Sequence, residues 1–241
     1  MTLTTRPAGT FITFEGLDGC GKTTQLEKLA DALRRQGRHV VTTREPGGTP
    51  IGERIREVLL DSRTLGLSPR AELALMFASR AQQIEQVIAP ALRAGAVVLC
   101  DRFTDSSEAY QGAGRGLGRG SVHALHQALC GGLQPDLTIL LVSDVNASIE
   151  RARRRNQLGA AALKPPSGKS QKQAPGKSSA KAKKDEGRFE QETAQFFERV
   201  LAAYLQIAER EPQRVLKISA SGTIAETHRQ IAAAVATRLK L

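Results

Sequence analysis

The sequence predicts an α/β fold, a parallel sheet of about five strands with helices on both faces. Short β-branched and aromatic runs alternate along the chain with stretches of helical periodicity. Several of those runs are apolar at every position rather than at every second one, as strands buried on both faces are. With 241 residues, 40% apolar and 24% charged, the chain is long enough to bury a core without disulfides or a structural metal.

Thr10 to Glu15 (TFITFE) reads as the first strand. A glycine-rich turn follows, then a helix over 22–36, with apolar residues at 26, 29, 30 and 33 on one face. Gly37 stands where a helix C-terminal cap is expected. Residues 39–43 are the second strand and Arg44 to Thr49 (REPGGT) a loop. Helical patterns cover about 50–61 and 70–93. Ala96 to Asp101 (AVVLCD) and Leu137 to Val142 (LTILLV) are continuous apolar strands. Residues 214–219 supply the last strand, and a closing helix runs from about 223 to 239.

One segment departs from this alternation. Residues 158–187 are mostly Ala, Lys, Pro, Ser, Gly and Gln, with no aromatic residue. Such a run buries too little apolar area to offset its ordering entropy, so it is expected to be disordered. The strand–helix pattern resumes beyond it, so the expectation is a single domain over 1–241 with an insertion.

The formal net charge is +11, and the lysine-rich segment alone carries +5 of it. The remaining basicity suits nucleic acid or a phosphorylated small molecule equally. Only 4% of residues are aromatic and tryptophan is absent, which weighs against a surface that stacks bases. No nucleic-acid partner is therefore expected. Three cysteines without framework spacing suit reduced thiols. No apolar run approaches the roughly 18 residues of a membrane span, and the polar Met1 to Gly9 stretch lacks the core of a signal peptide. A cytoplasmic protein is expected.

Gly16-Leu17-Asp18-Gly19-Cys20-Gly21-Lys22-Thr23 fits G-x-x-x-x-G-K-[ST], and it follows a predicted strand and opens a predicted helix. The glycines let successive backbone N–H groups turn toward one anion, and the helix N-terminus adds positive charge. Lys22 can bridge the β- and γ-phosphates of a nucleoside triphosphate, while the Thr23 hydroxyl can ligate Mg²⁺. Thr24 closes the same turn. The chain is thus expected to bind ATP in a P-loop NTPase fold. Asp101 ends a strand and Arg102 follows it at the sheet edge where ligands of parallel sheets bind. Asp101 could act on Mg²⁺ or its waters; an isolated Asp-Arg pair could equally be a structural ion pair.

FEGLDGCGKTT, TREPGGT, Ser79-Arg80 and LCDRFTDSSEAYQGAGRG together resemble the bacterial thymidylate kinases, over about 10–157 and again from 188 onward. The resemblance implies transfer of a phosphoryl group from ATP to dTMP, with Mg²⁺, in a homodimer. It implies that Glu45 and Asp18 lie near the phosphate and sugar of dTMP, and that Arg56 and Arg102 hold its phosphate. Ser79 and Arg80 would face thymine, with Arg80 donating to O4. Ser107 and Gln111 would complete the base contacts, and Tyr110 would close against the sugar. Where the family usually has an aromatic residue stacked on thymine, this chain has Met76, with Phe77 next to it.

The family takes its catalytic arginine from the P-loop or from a lid. This P-loop has Asp18-Gly19 and no arginine, so the resemblance points to a lid, over 151–195, with Arg151, Arg153, Arg154, Arg155 and Arg188 on either side of the insertion. Arg153 and Arg155 are taken as its catalytic members. Elsewhere, His123, His126 and Cys130 share a helical face and read as packing rather than as a zinc site, since no fourth ligand is near. Gly112 to Gly120 (GAGRGLGRG) reads as a loop over the substrate, with Arg115 near phosphate. Two alternatives remain: a kinase of another nucleoside monophosphate, favoured by Met76, and a nucleic-acid-binding P-loop protein, favoured by the charge.

Overall fold

The computed structural model describes residues 9–64, 66–161 and 187–241. Five strands, β1 (Thr10–Glu15), β2 (Val40–Arg44), β3 (Val97–Asp101), β4 (Leu137–Val142) and β5 (Val215–Ser219), form one sheet in the order β2-β3-β1-β4-β5. Every pairing is parallel. The chain leaves β1 for β2 at one edge and later inserts β3 between them, so the winding direction changes at β1 and opens a crevice beyond its C-terminal end. Phe14 pairs with Asp101, which sets Glu15 of β1 beside Arg102 after β3.

The helices are α1 (Lys22–Arg35), α2 (Pro50–Leu60), α3 (Pro69–Gln83), α4 (Ala89–Arg93), α5 (Thr104–Ser107), α6 (Gly118–Cys130), α7 (Val145–Ala161), α8 (Ala194–Arg210) and α9 (Ile224–Leu239). Local chemistry starts several of them. Thr49 accepts from Gly52 N–H ahead of Pro50, Ser68 accepts from Ala71 N–H ahead of Pro69, and Thr223 with Glu226 forms a capping box. The predicted helix over 70–93 is α3 and α4 joined by a wider π-type turn over Ile84–Ile88.

Alternation along β1 divides the core. Ile12 and Phe14 pack with Leu26, Leu29 and Leu33 of α1 and Ile231 and Val235 of α9. Phe11, on the opposite face, packs with Ile88, Leu92 and Phe103. On that face α8 buries Phe196, Val200, Ala203, Tyr204 and Ile207, a helical stripe against Leu140 and Val215. Each fully buried large apolar side chain contributes about 1.5–3 kcal/mol. Thr13 and Glu15 share the face of Phe11 and are wholly buried.

One sequence expectation changes here. The helix carrying Arg151 to Arg155, α7, continues through Ala161, four residues into the stretch expected to be disordered. Leu158, Ala160 and Ala161 are strong helix formers, which the compositional reading overlooked. The remainder of that stretch, 162–186, lies outside the described residues. Among the described residues no helix is long and apolar enough to cross a membrane.

Candidate active site

The loop between β1 and α1 turns through positive φ at Gly16 (132°), Gly19 (81°) and Gly21 (98°). A Cβ at Gly16 would meet Leu141 O at 2.4 Å, and one at Gly19 would meet Ser148 O at 2.4 Å. Only glycine satisfies both the turn and the close packing. Gly21 caps α1 and offers no side-chain acceptor to its first-turn N–H groups, the arrangement in which a helix N-terminus receives an anion. Lys22 folds back over the loop, its Nζ donating to Leu17 O (2.8 Å) and Gly16 O (3.2 Å). Leu17 and Cys20 point their side chains into the core, so they can meet a nucleotide only through backbone. Thr24 is exposed beside them.

Thr23 Oγ1 donates to Asp101 Oδ2 at 2.7 Å. Residues 78 apart thus bring two hard oxygen donors together at the end of the loop, a donor set that suits Mg²⁺.

Arg102 has φ 73°, a conformation that costs a non-glycine residue about 1–3 kcal/mol and tends to occur where surroundings enforce it. Its Nη2 donates to Asp18 Oδ1 (2.8 Å) and Tyr110 OH (3.3 Å). Its Nη1 donates to Ser106 Oγ (3.0 Å) and Tyr204 OH (3.1 Å). Burial alone would raise Asp18, but Arg102 and Lys22 outweigh it and hold the carboxyl well below the usual carboxylate range. Arg102 itself is driven up: burial opposes its charge, and Tyr110, Asp18, Tyr204 and Asp101 more than compensate.

A second cluster lies deeper in the cleft. Arg80, 2% exposed, donates from Nε to Glu45 Oε2 (2.6 Å) and from Nη2 to Ser107 Oγ (2.9 Å) and Phe103 O (3.2 Å). Its guanidinium lies 4.5 Å from the Phe77 ring centre and 5.3 Å from that of Phe103. Burial raises Glu45 despite the arginine beside it. Two atoms of this pair, Arg80 Nη1 and Glu45 Oε1, are buried without a hydrogen-bond partner in the protein. Both residues line the cleft. Unpaired buried polar atoms are costly and rare, so a lining that keeps one donor and one acceptor unpaired is suited to a polar ligand.

Asp18, Glu45, Arg56, Arg80, Arg102, Ser107, Tyr110 and Gln111, each expected from the sequence, line one cleft. Arg56 donates to Pro46 O at 2.9 Å, tying α2 to the REPGG loop. Gln111 donates to Glu72 at 2.8 Å. Tyr110 and Gln111 sit on wide π-type turns over Glu108–Gly114, a local geometry frequent at functional sites. Met76 also lines the cleft, whereas Phe77 is fully buried beneath Arg80. Adjacent helical residues point about 100° apart, which explains why Phe77 does not take the open position.

Four expectations need correction. Ser79 does not face the cleft: it is fully buried and its Oγ accepts from Gly47 N–H at 3.0 Å, holding the REPGG loop from below. Of the two lid arginines expected to be catalytic, Arg155 lines the cleft, but Arg153 is turned to Glu190 O at 3.3 Å. Arg151, four residues along α7 from Arg155, donates to Gly19 O at 2.9 Å. Arg188 is no mobile lid arginine, because it is pinned to Glu72 (2.8 Å) and to the Leu59 carbonyl. Arg115 pairs with Glu72 and Glu192 rather than approaching a phosphate. His126 and Cys130 are buried on α6, and no cluster of three or more His, Cys, Asp or Glu side chains with metal-binding geometry occurs among the described residues.

The sequence reading missed Glu15, Ser106, Tyr204 and Glu72. Glu15 was signalled by a carboxylate ending an otherwise uncharged strand immediately before the P-loop. Ser106 was visible beside Ser107 in the DRFTDSSEAYQG run. Tyr204 comes from α8, about a hundred residues later, and carried no local signal. Burial, then Asp105, push the Glu15 carboxyl up to about 7, against the pull of Arg102 and its hydrogen bonds to Ser106 and Phe103.

The chain is similar to known proteins over most of its length. The thymidylate kinase family matches residues 14–174. The thymidylate kinase of Pelobacter propionicus is 44% identical over 227 residues, which cover 94% of this chain and 94% of that one. That of Desulfovibrio desulfuricans is 47% identical over 211 residues, 88% of each. The crystal structure of thymidylate kinase from Ehrlichia chaffeensis superposes with a TM-score of 0.68 at 28% identity, covering 95% of this chain and 99% of that one.

Proposed function

This chain belongs to the thymidylate kinase family and phosphorylates dTMP to dTDP, and on that premise we propose how its own residues do so. ATP is the donor, its triphosphate lying along the backbone of Gly16 to Gly21, with Lys22 against the β- and γ-phosphates and Thr24 beside them. Thr23 and Asp101 would hold Mg²⁺, which when bound would neutralise charge on the transferred group. Arg102 and Arg56 hold the dTMP phosphate, and Asp18 and Glu45 line its approach. Tyr110 closes on the sugar. Ser107 and Gln111 flank the base, and Arg80 donates to O4.

A dTMP phosphate oxygen attacks the γ-phosphorus in line, and the bond to the ADP oxygen breaks on the opposite side. The attacking oxygen is already anionic at neutral pH, so no general base is needed. Positioning and charge neutralisation then supply the rate. Arg155, from the lid over 151–195, serves the charge that develops during transfer. The chain 1–241 acts as one such kinase unit in the cytoplasm. As a homodimer it would use α2, where Ile51 and Val58, 49% and 46% exposed, fall on one stripe; sedimentation at micromolar concentration giving only monomer would reject this.

The observation that carries the base assignment is the unpaired donor on Arg80. Thymine offers it an acceptor at O4, whereas cytosine would bring an amino donor to the same place. Opposing two buried donors costs about 1–3 kcal/mol, or about 5- to 150-fold in affinity. Calorimetric titration without ATP should therefore find dTMP binding at least about tenfold more tightly than dCMP. Equal affinities would show that Arg80 does not read the base.

A further inference from the structure

Glu15 is the last residue of β1, fully buried, with both carboxylate oxygens occupied. Oε1 accepts from Phe103 N–H at 2.7 Å. Oε2 accepts from Ser106 Oγ at 2.5 Å and Tyr204 OH at 2.9 Å. Those two hydroxyls are the acceptors for Arg102 Nη1. A hydroxyl has a single proton. The two hydroxyl oxygens also lie 2.8 Å apart, so a proton not drawn to Glu15 has the other hydroxyl as its acceptor. When both protons point at Glu15, both oxygens present lone pairs to the guanidinium. Glu15 also holds the backbone on the far side of Arg102, through the next residue, while Arg102 N–H donates to Phe14 O at 2.9 Å on the near side. The positive φ at Arg102 is thus clamped on both sides.

We propose that Glu15 is a positioning residue for dTMP capture: it touches no substrate, and through Ser106, Tyr204 and Phe103 N–H it fixes the Arg102 guanidinium that receives the nucleotide's phosphate. Glu15 sets the direction of two hydroxyl protons and the backbone strain at one residue, and all three act on Arg102. The position demands an acceptor at both ends of the side chain. Glutamine matches Glu15 in shape but offers one acceptor and one donor. In one orientation its amino group opposes Phe103 N–H; in the other it makes the two hydroxyls accept, which turns their protons away from position 15 and toward Arg102. Aspartate is too short to span both partners.

The inference rests on the reading that Arg102 binds the phosphate, and a double-mutant cycle separates the two. Dissociation constants for dTMP are measured by calorimetry at pH 8, above the value of about 7 to which burial raises the Glu15 carboxyl, for the full-length chain, Glu15→Gln, Arg102→Ala and the double variant. Glu15→Gln should weaken dTMP about tenfold in the wild-type background and less than about twofold where Arg102 is already absent, since residues acting through one another are non-additive. Equal losses in both backgrounds would overturn the proposal, because damage to the fold in general does not depend on Arg102. A wild-type affinity in Arg102→Ala would overturn instead the premise that Arg102 holds the phosphate. If Glu15→Gln does not fold, the pair Ser106→Ala with Tyr204→Phe replaces it in the same cycle. That pair leaves Glu15 and its bond to Phe103, and the same two outcomes decide.

Discussion

Lys22→Ala should lower kcat by about 10²–10³-fold, the loss found when one well-placed donor to a developing charge is removed. The side chain is 6% exposed and spans the loop from the start of α1 to Gly16 O and Leu17 O. Those carbonyls hold the ammonium over the space enclosed by the Gly16–Gly21 backbone, so its charge is in place before nucleotide arrives. Two backbone hydrogen bonds are lost in the variant, but Asp18, whose charge Lys22 also favours, keeps its ion pair with Arg102. The melting temperature should therefore move by only a few degrees, at about 4 °C or less per kcal/mol for a chain of this size. Turnover near the wild-type value with an unchanged melting curve would remove Lys22 from the mechanism.

Arg155→Ala should produce a larger loss, about 10³–10⁵-fold in kcat, as for arginines that meet the transferring phosphoryl group elsewhere. Arg155 is exposed and lines the cleft, and its charge helps to hold Asp18 ionised. Exposure makes the substitution mild for the fold, so lost activity would report on chemistry. Arg153→Ala is the internal comparison: that side chain is turned to the Glu190 carbonyl, and its removal should cost far less. Equal, small losses in both variants would exclude this arginine as the lid's catalytic group.

Most of the architecture was legible because each element carries its own signal. All five strands fall within a residue or so of the apolar runs, and the glycines of the P-loop announced the turn they make. The cleft was legible where function resides in a contiguous run, as in DRFTDSSEAYQG. It was illegible where one residue's role depends on a distant partner. Ser79 stands beside Arg80 in sequence, yet a helix sends neighbours in different directions, and its hydroxyl serves Gly47 instead. Arg188 and Arg115 looked like free cations until the fold brought Glu72 between them. Tyr204 reaches Arg102 only because α8 packs across the end of β1, a contact no local pattern encodes.

The proposed function stands on selection of thymidine monophosphate by this cleft as the acceptor for ATP. It is tested most directly by coupled ADP release with dTMP, dUMP, dCMP, GMP and AMP, each with Mg²⁺ and with EDTA in its place. Turnover should depend on Mg²⁺, and kcat/KM for dTMP should exceed that for dCMP, GMP and AMP by at least about 10²-fold, with dUMP nearer because it lacks only a methyl group. A comparable kcat/KM for dCMP or AMP, or turnover undiminished by EDTA, would contradict it.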